Sequence, residues 1–160
     1  MNVNYSMFYN CVCSNYGGAI YFSSSNSSLS MICANSCSCG ASYVGHFAYL
    51  YASQMNHVEY LSVSNCSHTT SGYCPIYLES GDQRVDNTNS SINNAYRYSG
   101  ILIYSPSSFT SSHCTFSNNK VSHSICIWFS SSSGTITKSY ANIIIYKHML
   151  LYDMKITMSD

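Results

Sequence analysis

Charge is what this chain has least of. Asp, Glu, Lys and Arg make up 8% of its 160 residues, against roughly 25% in an ordinary soluble domain. Six basic and six acidic residues leave a formal net charge of zero. Such a balance provides no broad field to gather nucleic acid, anionic lipid or an acidic substrate. Proline is nearly absent, with two residues. The strong helix formers Ala, Leu, Glu, Lys, Gln and Arg are scarce, which argues against a helical fold. No run of about eighteen apolar residues occurs, which excludes an ordinary membrane-spanning helix from this sequence. The apolar stretch Ile143–Tyr146 is far too short for one. Met1–Phe8 has neither a basic n-region nor an apolar h-region, so no secretory signal is read there. These opening residues are expected to lie inside a repeat.

What the chain does have is tyrosine, sixteen of them, with Ile, Val, Phe, Ser and Asn. Strands favour the aromatic and β-branched members of that set. With 46% hydrophobic residues over this length, one domain can bury a sizeable core. Short apolar runs recur at Ala19–Phe22, Phe47–Tyr51, Pro75–Leu78, Gly100–Tyr104 and Ser124–Phe129, about 25 to 28 residues apart. A second series interleaves at Met7–Tyr9, Leu29–Cys33, Tyr60–Ser64, Ser90–Ile92, Cys114–Phe116 and Gly134–Thr137. Two or more strands per turn follow. Sandwich strands return at roughly 8 to 12 residues and lack one recurring motif. The longer return therefore predicts an all-β fold, a right-handed parallel β-helix of roughly five to six turns.

The intervening Ser, Asn and Gly clusters supply turn chemistry. Ser23–Ser28 and Ser130–Ser133 are read as solvent-facing turns of the coil rather than as linkers. Asn10, Asn15, Asn65, Asn118 and Asn119 are expected in tight turns, because Asn tolerates the left-handed conformation. Nine cysteines, at 11, 13, 33, 37, 39, 66, 74, 114 and 126, read chiefly as small buried hydrophobes. In an oxidising compartment a disulfide is expected among Cys33, Cys37 and Cys39, or between adjacent turns. From about Tyr140 the composition shifts toward Met and Lys. The chain is accordingly divided into a β-helix domain, 1–139, and an atypical C-terminal segment, 140–160, serving as a cap or a truncated end.

Phe8–Cys11, Gly17–Tyr21, Met31–Cys37, Asn89–Ser91, Ser107–Thr110 and Cys114–Asn119, taken in order, carry a resemblance over roughly residues 5 to 142. The chain resembles the large right-handed β-helix surface-type proteins of trichomonad parasites, with polymorphic outer-membrane-protein-like repeats. That resemblance implies a surface-exposed, adhesin-like role. The chain departs from the pattern after Tyr140–Asn142, where Ile143–Leu151 replaces another polar turn, which suggests a fragment.

Catalytic chemistry has few candidates. Glu79, Asp82, Arg84 and Asp86 form the only local concentration of charge, as a carbohydrate-active β-helix enzyme would need. We read them as a solvated, self-neutralising loop. Convergence in one groove on a sheet face would favour the enzyme, and a loop rim the structural reading. The spacings Cys11-x-Cys13 and Cys33-x3-Cys37-x-Cys39 miss the paired knuckles of structural zinc. His46, His68, His113 and His123 could in principle serve a cysteine nucleophile, but are read as surface or turn residues. Asn4, Asn26, Asn65 and Asn89 head glycosylation sequons, usable only on export. Tyr21, Tyr49, Tyr77 and Tyr104 are expected to stack as a ladder. The sequence thus predicts a non-catalytic repeat protein with no catalytic residue, metal or cofactor, offering a flat sheet face to a protein or glycan. The alternative is a polysaccharide lyase or hydrolase.

Overall fold

The structure, a computed structural model, describes residues 1–66 and 72–120 and the strand segments 127–129, 135–137 and 140–142. Among these residues there is no helix, and every pairing between strands is parallel. The chain forms a parallel β-helix.

Its first turn runs through β1 (Asn2–Asn4), β2 (Met7–Tyr9), β3 (Val12–Cys13) and β4 (Ile20–Ser24). The second runs through β5 (Ser28–Ile32), β6 (Asn35–Cys37), β7 (Gly40–Ala41) and β8 (Ala48–Ala52). The third comprises β9 (Met55–Glu59), β10 (Ser62–Ser64) and β11 (Ile76–Glu79), and the fourth β12 (Asp82–Asp86), β13 (Asn89–Ser91) and β14 (Ile101–Tyr104). After them come β15 (Ser108–Ser112), β16 (Thr115–Ser117), β17 (Ile127–Phe129), β18 (Thr135–Thr137) and β19 (Tyr140–Asn142). Four turns are therefore followed throughout or nearly so, fewer than the five to six expected, because beyond residue 120 only strand segments are described. Residues 143–160, the bulk of the predicted C-terminal segment, lie outside the described residues.

Stacked turns make three long sheets. The first is β1-β5-β9-β12-β15-β18, the second β2-β6-β10-β13-β16-β19 and the third β4-β8-β11-β14-β17, with β3-β7 as a small pair. Register gives the repeat directly: Asn2 lies beside Ser30, Ser28 beside Met55, Met55 beside Asp82, Asp82 beside Ser108 and Thr110 beside Thr135. The steps are 28, 27, 27, 26 and 25 residues, so the coil tightens along the chain. The expected second strand series had merged the first and second sheets. It missed β9 and β12 because their outward residues include His57, Glu59, Asp82, Arg84 and Asp86, and Asn56 and Gln83 sit among their inward ones.

Inward columns fill the core. The third sheet contributes Ile20–Ala48–Ile76–Ile101 and Phe22–Leu50–Leu78–Ile103. The first contributes Met31–Val58–Val85, and the second adds Phe8, Val63 and Phe116, all in one apolar cluster. Inward Asn56 braces the corner through its amide nitrogen: Nδ2 faces the carbonyls of Ala52, Glu79 and Ser80 at 3.2, 3.3 and 3.2 Å, while its Oδ1 has no partner among the described residues. Gln83 Nε2 also donates to the Ser80 carbonyl.

The corners on either side of the second sheet repeat one device. Tyr5, Cys33, Tyr60, Asn87 and His113 hold positive φ at the first, and Asn10, Ser38, Asn65, Ile92 and Asn118 at the second. Of the asparagines expected there, Asn10, Asn65 and Asn118 comply, whereas Asn15 and Asn119 have ordinary backbone. Each left-handed residue turns the chain while its N–H still points along the axis. Tyr60 donates to the Asp86 carbonyl at 3.2 Å and Asn65 to that of Ser91 at 3.1 Å. Gly17 and Gly45 repeat a similar device before the third sheet, at φ 58° and 70°. A Cβ there would run into the carbonyls of Ile20 and Ala48.

Ile92 is the strained member of its column, a β-branched residue at φ 56° where two turns of the column carry Asn at 53° and one at 50°. The left-handed region costs an L-residue about 1–2 kcal/mol, and Asn offsets part of that locally. Ile92→Asn is expected to stabilise the protein by about 1 kcal/mol, raising the melting temperature by about 2–4 °C. Thermal melts of the two chains check this, and an unchanged or lower melting temperature contradicts it.

Candidate functional site

Tyrosine on the outer face of the third sheet is the most developed surface feature. Tyr21, Tyr49 and Tyr77 share one register column, and their rings stack at centroid separations of 5.2 and 5.0 Å with interplanar angles of 15° and 8°. The next residue in that column is Leu102, not Tyr104 as expected. Tyr104 stands beside Glu79, one column over, and reaches Tyr77 diagonally at 6.5 Å. The slip follows from the shorter fourth turn: Ile76 pairs with Ile101, a step of 25, where Ala48 pairs with Ile76, a step of 28.

Segments leading into the third sheet lay a second row beside the ladder. Tyr16, Tyr43, Tyr73 and Tyr96 meet edge to face, with Tyr16–Tyr43 at 5.2 Å and 88°, Tyr43–Tyr73 at 5.5 Å and 75°, and Tyr73–Tyr96 at 6.3 Å and 89°. Such tilted contacts are favourable for aromatic quadrupoles. The Arg97 guanidinium lies 5.0 Å from the Tyr73 ring centre and 5.8 Å from that of Tyr96, a cation–π arrangement. Beneath the rings Val44, Cys74 and Leu102 form a small apolar cluster separate from the main core.

Stacking decides what this face can do. In the ladder the rings cover one another, so edges and hydroxyls face outward and the π-faces are largely used up internally. Tyr49 donates its hydroxyl to Glu79 Oε2 at 2.6 Å. Burial, then the Glu79 carboxylate, pushes the Tyr49 phenol well above the ordinary range, and the same causes act on Tyr77. These rings therefore remain neutral hydrogen-bonding groups at any physiological pH. Tyr21, Tyr43, Tyr96 and Tyr104 are each about half exposed.

Asp82, Arg84 and Asp86, expected on a loop, lie instead on the outward face of β12. Ser80 and Gly81 make the turn just before it, at φ 60° and 65°. Register brings His57 beside Arg84 and Glu59 beside Asp86, two neighbours that apolar-run reading could not find. Glu79 is not with them, since it lies on the third sheet beside Tyr49. Both Asp86 oxygens are engaged, Oδ2 accepting from Arg84 Nε and Oδ1 from Ser112 Oγ at 2.6 Å each. His57 Nε2 stands 3.6 Å from Glu59. Arg84 is largely exposed, so solvent screens much of its pairing.

His46, expected at the surface or in a turn, is in the interior instead. His46 is completely buried, and its Nδ1 accepts the Ala41 N–H at 3.2 Å. It lies under the segment that contains Gly72, where any Cβ would strike its ring. His113 is exposed at a left-handed corner, and His68 and His123 lie outside the described residues. All eight described cysteines are free thiols, with Cys39, Cys66, Cys74 and Cys114 buried. Among the described residues no three His, Cys, Asp or Glu side chains converge as a metal-binding group. None of the helix-type membrane spans is present there either. The sequon residues Asn4, Asn26, Asn65 and Asn89 are all exposed.

No protein-family model matches the chain, and no characterised protein or solved structure is significantly similar to it.

Burial opposes ionisation of Asp86, but hydrogen bonds from Ser112 and Arg84, with the Arg84 and His57 charges, prevail and hold its carboxyl below the ordinary range. Such a depressed group stabilises the fold above the unfolded-state pKa of about 3.9, and that stability is lost as pH falls through the folded value. Melting temperature is expected to decline on acidification below about pH 4, with a shallower decline in Asp86→Asn. Equal slopes in the two chains would contradict this.

Proposed function

We propose that the chain is a non-catalytic β-helix protein of surface or adhesin-like kind, whose tyrosine face engages a protein or a neutral glycan. The observation that carries this reading is the paired tyrosine rows on the third sheet, with Glu79 and Arg97 as the charged groups that contact the rings among the described residues. Tyrosine offers large contact area and a polar tip at low entropic cost, which is why it is enriched where proteins bind one another. With the ladder's ring faces already stacked, binding would rest on hydroxyl hydrogen bonds and edge contacts. No cofactor is required. The resemblance to trichomonad surface β-helix proteins points the same way.

A carbohydrate-active enzyme is the second reading. It is favoured by the placement of Asp82, Arg84, Asp86, His57 and Glu59 on one sheet face. Against it, Asp86 is already committed to Arg84 and Ser112, and Glu79 lies on another sheet.

Binding of the purified chain to immobilised extracellular-matrix proteins and a neutral-glycan array tests the first reading. Tyr43→Ser/Tyr96→Ser, at two half-exposed rings, should weaken the binding about tenfold or more, with a cooperative melt retained at a melting temperature lowered by the lost ring contacts. Absence of binding, or binding indifferent to the double variant, would count against the tyrosine face. Release of reducing or unsaturated sugar ends from a polysaccharide, abolished in Asp86→Asn, would establish the enzyme instead.

A further inference from the structure

The residue after each left-handed corner position points into the coil, and this rule places three of the four buried cysteines described, all but Cys74. After the first corner come Ser6, Ala34, Leu61, Thr88 and Cys114, and after the second Cys11, Cys39, Cys66, Asn93 and Asn119. The hydroxyl or thiol commonly donates to the carbonyl two residues back. Ser6 reaches Asn4 at 3.0 Å, Thr88 reaches Asp86 at 3.1 Å and Cys66 reaches Ser64 at 3.4 Å. In the second column Asn93 and Asn119 bond along the axis: Asn93 Oδ1 accepts the Cys66 N–H at 2.8 Å, and Asn119 Oδ1 accepts the Asn93 N–H at 2.9 Å. The three earlier turns hold thiols at that place.

We propose that Cys11, Cys39 and Cys66 form an oxidisable thiol column, in which a small-molecule disulfide enters at Cys11 and is resolved by Cys39 into a cross-turn Cys11–Cys39 disulfide. Val12 pairs with Gly40, and the Gly40 N–H donates to the Cys11 carbonyl at 2.9 Å, which sets Cys11 and Cys39 side by side. Adjacent strands lie about 4.8 Å apart, inside the Cα separation of about 4.4–6.8 Å that a disulfide spans. Cys11 Sγ donates to the Tyr9 carbonyl and Cys39 Sγ to the Cys37 carbonyl, each at 3.6 Å, so the two thiols hold equivalent places one turn apart. Cys39 and Cys66 are fully buried, whereas Cys11 is only half-buried, so reagent meets Cys11 first.

The chemistry balances. The Cys11 thiolate attacks one sulfur of glutathione disulfide, forming a mixed disulfide and expelling one glutathione thiolate. The Cys39 thiolate then attacks Cys11 Sγ, forms the protein disulfide and expels the second. Two protein thiols lose two electrons and two protons, and glutathione disulfide gains them. Burial pushes the Cys11 thiol up, while the neighbouring Cys66, Ser36 and Cys11 side chains hold Cys39 below the ordinary thiol range. The resolving thiol is thus the more readily ionised of the two.

Exposure of the native, fully reduced 160-residue chain to glutathione disulfide, followed by non-reducing peptide mapping, tests this. The expected product links the Cys11 and Cys39 peptides, with little glutathione left on Cys11. Cys39→Ala should accumulate the Cys11–glutathione adduct about tenfold over the natural chain, and Cys11→Ser should leave Cys39 and Cys66 reduced. Melts recorded alongside show whether each variant folds, and mapping of the natural chain decides the matter if one does not. A persistent Cys11 adduct there would overturn the proposal. So would reaction confined to the half-buried Cys13, Cys33 and Cys37, or a Cys39–Cys66 bridge formed without Cys11.

Discussion

Hydrogen bonding along the coil axis is the constraint on which everything else in this protein depends. A single sheet can keep its backbone paired by staying straight, but a coil must turn corners without breaking the ladder, since unpaired buried peptide groups are costly. One left-handed residue per corner solves this, because it swings the chain sideways and leaves its N–H aimed at the next turn. Tyr5, Cys33 and Asn87 donate to the carbonyls of Ile32, Glu59 and Ser112 at 3.1, 3.0 and 3.0 Å, like strand residues. Once the corners are locked, turn length is locked as well. Register then stacks like positions, and the columns of apolar, thiol, amide and phenol side chains follow.

Those columns explain why so little charge suffices. Ser, Asn and Tyr repeat at outward positions and bond to equivalents one turn away, as Asn65 Nδ2 does to Ser38 Oγ at 3.1 Å and Ser108 Oγ to Asp82 Oδ1 at 3.0 Å. Stacking also places tyrosines where their rings stabilise the sheet before they can serve any ligand. The third-sheet face is therefore part scaffold and part surface: Tyr49 and Tyr77 are committed to the ladder, while Tyr21, Tyr43, Tyr96 and Tyr104 keep exposed edges.

The parallel coil and its repeat length were legible because the inward Ile, Leu and Phe of the third sheet recur without interruption. The ladder of Tyr21, Tyr49 and Tyr77 was legible for the same reason. Tyr104 misled because turns need not be equal, and a three-residue shortening moved it one column over. Residues of β12 resembled a loop because Asp82, Arg84 and Asp86 alternate with inward Gln83 and Val85, and an inward glutamine defeats a reading based on apolar alternation. Tyr60, Ile92 and His113 gave no sign of left-handed backbone, which neighbouring turns impose on them against local preference. Only position 92's alignment with Asn10, Asn65 and Asn118 could have revealed it. Burial of His46 had no local signal, since it depends on the segment at Gly72 lying over it.

Native-state hydrogen exchange at the corners tests the central claim most directly. Amides of Tyr60, Asn65, Asn87 and Ile92, each bonded to the next turn, are predicted to be protected as strongly as those of Val58 and Val85 within the strands, and to open with them in one cooperative unit. Corner amides that exchange freely while the strands stay protected would show that axial hydrogen bonding does not run through the corners, and the account would fail at its base.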